Sequence, residues 1–234
     1  MDPRILDLSA LAAAQMAFAD RVRVAPNLPV AAIDTHLLWE DLAAEVAAIP
    51  ADHGHGVVIF LGLEDTTIRY GIAVVTWTAA GEERRPYVHP GHPTFLVQDQ
   101  HLVAITPTEW EPLGNAYHEQ VLLKRTDSFE HLNELDGRTI TQAWEDQLQA
   151  MHEQNGTYGD DPYLTFTNIA LHYDGSDGGN AGFRHQVALN MAVPGEEGFQ
   201  ELVDDHAYTE PYRMKATDRG TCCPTNCIEY VMPR

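Results

Sequence analysis

Among 234 residues only three are cysteine, three are serine and two, Lys124 and Lys215, are lysine. Each scarcity excludes something. Ser9, Ser128 and Ser176 stand in no G-x-S-x-G context, so a hydrolase nucleophile elbow is absent, and flexible Ser-rich linkers are absent with it. Lys and Arg together number 14 against 35 Asp and Glu, for a formal net charge of −21. No stretch supplies the basic footprint through which nucleic acid is bound; Arg84-Arg85 directly follows Glu82-Glu83. An anionic membrane surface is disfavoured for the same reason. No apolar run approaches the ~20 residues of a bilayer-spanning helix. The start, Met1-Asp2-Pro3-Arg4-Ile5-Leu6-Asp7, carries acids where a secretory leader carries bases, so the expected location is cytoplasmic, or outside by a route without a classical signal peptide. P-loop, G-x-G-x-x-G and H-E-x-x-H patterns are all missing.

What is present starts at the far end. The last residues read Cys222-Cys223-Pro-Thr-Asn-Cys227-Ile-Glu-Tyr-Val-Met-Pro-Arg, so every cysteine falls within six positions. Thiols so clustered act together. Cys223 and Cys227 have the C-x3-C spacing of a zinc knuckle, to which Cys222 adds a third thiolate and His206, the nearest histidine, a fourth ligand. A disulfide within the cluster or between subunits is the alternative, and free, partly buried thiols are the third. Twelve histidines include two pairs at metal-like spacing, His53-Gly-His55 and His89-Pro-Gly-His92. Gly and Pro flank both, which places them in loops. Asp174-Gly-Ser-Asp-Gly-Gly-Asn180 looks like a calcium loop but lacks its fifth-position acid and has His185 at the twelfth position, where a Glu belongs; it reads as a hairpin loop.

The apolar fraction, 44%, suffices for a core in a chain of this length. Leu8, Leu11, Gln15, Phe18 and Val22 recur at helical spacing and predict a helix over 7–23, with Asp7 as its cap. Ala25–Pro29 ends it. A second helix is expected from Asp34 or Thr35 to Pro50, burying Leu38, Leu42 and Val46. Gly56-Val-Val-Ile-Phe-Leu-Gly62 is an unbroken apolar run, the mark of a strand covered on both faces. The turn Glu64-Asp65-Thr66 joins it to a strand over 68–78, rich in β-branched residues. Leu102–Thr106 reads as a strand. Thr108 with Glu111, and Thr139 with Gln142, match capping boxes, predicting helices over 108–124 and from 139 to Asn155-Gly156. In the first, Leu113, Tyr117, Val121 and Leu122 face inward and Pro112 belongs to the opening turn. Tyr163–Tyr173 and Phe183–Val193 form a long hairpin, with Phe183, Val187, Leu189, Met191 and Val193 on one face. A short helix at 196–204 precedes an irregular tail. The fold class expected is α+β: mainly antiparallel sheet, two hairpins packed with N-terminal and central helices. Residues 1–220 form one domain, with a subdivision admissible near 80–95 or 125–138, and 221–234 a Cys-rich tail.

Paired N-terminal helices, the run Gly56–Gly62, the hairpin to Val74-Val75 and the terminal Cys-Cys-Pro-x-x-Cys together make the chain similar to a group of uncharacterised small bacterial proteins, mainly of Bacteroidetes. That resemblance implies no activity.

The residues point to a non-catalytic structural or interaction protein that forms a homo-oligomer. Ile228, Tyr230 and Met232 alternate as in a strand, and a strand at a chain end can join a neighbour's sheet edge and be locked by the adjacent thiols. Two alternatives stand beside it: a metal-dependent enzyme built on His53, His55, His89 and His92, its metal left open with zinc as one candidate; and an acidic binding module for a basic protein.

Overall fold

A strand that is apolar on both sides needs cover on both sides, and the architecture follows from that demand. The computed structural model describes residues 5–6, 8–21, 23–25, 28–29, 35–49, 55–77, 86–88, 93–121, 140–144, 162–173, 182–196, 198–201 and 206–208. In chain order these form β1 (Ile5–Leu6), α1 (Leu8–Arg21), β2 (Arg23–Ala25), β3 (Leu28–Pro29), β4 (Thr35–Leu38), α2 (Trp39–Ala47), β5 (His55–Glu64), β6 (Thr67–Trp77), β7 (Pro86–Val88), β8 (Thr94–Gln98), β9 (His101–Ile105), α3 (Pro107–Gln120), β10 (Ile140–Trp144), β11 (Tyr163–Tyr173), β12 (Gly182–Gly195), β13 (Gly198–Glu201) and β14 (His206–Tyr208).

The fold is α+β with antiparallel pairing throughout the described ladders. One six-stranded sheet runs β1-β14-β12-β11-β4, with β13 also on β12; the other runs β10-β5-β6-β8-β9, with β7 on β6. Register sets which side chains share a face. Val57, Ile59, Leu61 and Leu63 lie opposite Val74, Ile72, Tyr70 and Ile68. Leu164 and Phe166 lie opposite Met191 and Leu189. These two faces meet in one buried cluster, joined by Phe18, Leu37, Trp39, Leu42 and Val46. Each such side chain, fully buried, contributes about 1.5–3 kcal/mol before the entropic cost of ordering. The outer faces carry helices. Leu11 and Ala14 of α1 pack on Ile169 and Ala188, and Trp110 of α3 lies 6.4 Å, ring to ring, from Phe60. The order is helix, sheet, sheet, helix.

Several expectations are met. α1, the β5–β6 hairpin, β9 and the long β11–β12 hairpin lie where the sequence placed them, and Val187, Leu189, Met191 and Val193 share the core face. Others need correction. Residues 35–38 are strand, because β4 pairs with Tyr163–Phe166 of β11; α2 starts only at Trp39, which takes the buried position expected of Leu38. Arg23, expected in the last helical turn, opens the β2–β3 ribbon. The capping box is Thr106 with Glu109, two residues early, because it sets Pro107 at the first helical position, where its missing N–H costs nothing. Pro112 then sits in the second turn, with exposed Thr108 one turn before it; water can serve the carbonyl it leaves without a donor. Residues 140–144 are strand, since Ile140–Trp144 complete the flank of β5. The helix expected at 196–204 is replaced by β13, which folds back on β12 through Gly198 at φ +125°. Gly198 would be costly inside a helix and suits a turn.

Candidate functional site

The cluster Cys222, Cys223 and Cys227 and the alternating Ile228, Tyr230 and Met232 lie outside the described residues, as do His53, His89 and His92. His55 is not in a loop: it opens β5, paired with Thr76. His206 is not in an irregular tail but begins β14, paired with Leu6. The two therefore belong to different sheets. Among the described residues, no three His, Cys, Asp or Glu side chains gather as a metal ion requires, and no helix is long and apolar enough to cross a membrane.

What the fold does assemble is a seam where the margins of the two sheets meet. β8 and β9 are joined by Asp99 and Gln100, both in the left-handed region (φ 49° and 71°). That is the I′ geometry whose twist matches a tight hairpin. The hairpin tip reaches the other sheet, where the Gln100 carbonyl accepts from the Leu38 N–H at 2.9 Å. From the first turn of α2, the Asp41 carboxylate accepts from His101 Nδ1 at 2.9 Å and from the Leu102 N–H at 3.3 Å. Carboxylate on Nδ1 fixes which ring nitrogen carries the proton. With His101 60% and Asp41 30% exposed, the pair is a surface fastening rather than a buried ion pair.

The seam also defines a sheet margin. Among the described strands, β9 is the last of its sheet. Its two-residue turn makes Gln98 and His101 the first hydrogen-bonded pair. The N–H and C=O of Leu102 and Ala104 therefore point away from β8. Asp41 occupies the Leu102 N–H; toward Ile105 the margin carries the outward groups of Ala104 and, beside them, Val103. Val103 is 43% exposed, and only Met16 on α1, at 68%, is another exposed large apolar side chain among the described residues.

Two further features have no sequence signature. On the outer face of the first sheet, His36 stacks on Phe199 (centroids 3.8 Å apart, 12° between planes), and Tyr163 meets Phe199 edge-on at 4.8 Å. These rings hold β13 back over the sheet. Inside the core, Asn168 Nδ2 donates to the Tyr70 hydroxyl at 2.6 Å, across the gap between the sheets. Only contacts between residues 98 apart reveal that pair.

No family model, curated protein or solved structure matches this chain.

Proposed function

We propose that this is a non-catalytic structural protein that self-associates by adding a strand to its own sheet margin. The observation that carries this is β9 beyond Leu102, where the outward backbone groups of Ala104 sit beside exposed Val103 at the end of a six-stranded sheet. An added strand gains main-chain hydrogen bonds and matches alternate side chains. The terminal segment with Ile228, Tyr230 and Met232 has the matching alternation, and Cys222, Cys223 and Cys227 would lock it by disulfide or zinc once it is seated. The homo-oligomer is then held by one segment and one edge.

The test is mass in solution, by light scattering after size exclusion, for three proteins: the full chain, a chain ending at Gly220, and Val103→Lys, which puts a charge on the edge. The full chain is expected as an oligomer and both variants as monomers. A monomeric full chain, or a truncated chain of undiminished oligomeric state, overturns the reading.

A further inference from the structure

Among the described residues, the buried inward faces of the two sheets are apolar except where Asn168 meets Tyr70. Asn168 belongs to the register row that carries Leu164 and Phe166 into the core, and it is 2% exposed. Its amide NH2 donates to the Tyr70 hydroxyl, and Tyr70 itself is 1% exposed, with its ring 5.2 Å from Phe166. The other end of the same amide, Oδ1, is fully buried and has no hydrogen-bond donor.

A carboxamide oxygen accepts, and buried without a donor it forgoes a bond that it has in water. The group that supplies one must donate and be small enough to sit between packed sheets. We propose that Asn168 and Tyr70 hold one internal water molecule, bound to the Asn168 amide. Water of this kind satisfies buried polar groups that the chain cannot pair. Among the described strands, β4 pairs with Tyr163–Phe166 of β11 and stops short of Asn168.

The wild-type protein suffices for the test. In a high-resolution crystal structure of the full chain, one ordered water is expected within ~3 Å of the Asn168 amide. In solution, the Asn168 side-chain NH2 protons should show a nuclear Overhauser effect to a long-lived water, and a crystal of Asn168→Leu should hold no water at that place. A dry site in the crystal, or a folded wild type without that water signal, overturns the proposal. Neither depends on the variant folding.

Discussion

At the scale of the residue, α3 packs directly against Gly62 of β5. A Cβ there would lie 2.9 Å from Leu113 Cβ and 3.0 Å from Trp110 Cη2. The first neighbour is fixed to the backbone of α3 and cannot rotate away. Gly62→Ala is therefore expected to destabilise by about 1–3 kcal/mol, the usual cost of overpacking, read as a lower urea midpoint with unchanged slope. Gly114→Ala is the control. Its Cβ would meet Trp110 Nε1 at 3.1 Å, but it also gains about 1 kcal/mol of helix propensity, so its net effect should be the smaller. Much of the core was legible at this scale. Apolar residues at every position of 56–62 announced a strand covered twice, and alternation picked out Val187, Leu189, Met191 and Val193. Trp110, Tyr70 and Asn168 were not legible, because their roles come from partners on other elements. Of the candidate site residues, His55 and His206 were read by their flanking glycine or by the cysteines nearby, and neither cue reports strand pairing.

At the scale of the element, local signals competed and tertiary pairing decided. Thr106-Pro-Thr108-Glu109 and Thr108-Glu-Trp-Glu111 both fit a capping box, and the proline after Thr106 was the cue that separates them. Thr139 with Gln142 fits the same pattern, yet Ile140–Trp144 are claimed by β5, whose backbone groups on that side need partners. The α3 cap makes a pH prediction. Glu109 Oε2 accepts from the Thr106 N–H at 2.7 Å and from Thr106 Oγ1 at 2.8 Å. The backbone bond, then the hydroxyl bond, hold its carboxyl below the ordinary glutamate value. A folded pKa below the unfolded one means stabilisation that is full above the unfolded value and lost as pH falls through the folded one. In a carboxyl-resolved NMR titration Glu109 should titrate below a free glutamate, and Glu109→Gln should flatten the acid limb of the stability profile. A normal Glu109 titration would remove the cap from the account of α3. Asp41 makes a second prediction at this scale. Asp41→Ala frees the Leu102 N–H on the outward side of β9. If an added strand uses that margin, the variant should associate more strongly than wild type by light scattering, although it loses the fastening of α2 to the hairpin.

At the scale of the whole molecule, α+β class and the two long hairpins could be read from periodicity, but not the pairing of strands far apart in the chain. β4 on β11 and β10 on β5 join segments that no local pattern connects. The charge, legible from composition alone, separates the two remaining accounts of association. Each copy carries −21 formally, so copies repel until salt screens them over a Debye length of about 8 Å at physiological ionic strength. Apolar contact at Val103 and backbone pairing at Ala104 involve no opposite charge. Self-association by strand addition should therefore strengthen as salt rises, since screening removes repulsion and weakens nothing at the margin. Binding of a basic protein to the acidic surface should do the reverse. Sedimentation velocity of the full chain alone across a salt series reads the sign directly. A rising oligomer fraction fits the β9 margin. A falling one means that opposite charges meet at the interface, and the contact must then be sought on the acidic surface instead of at Val103.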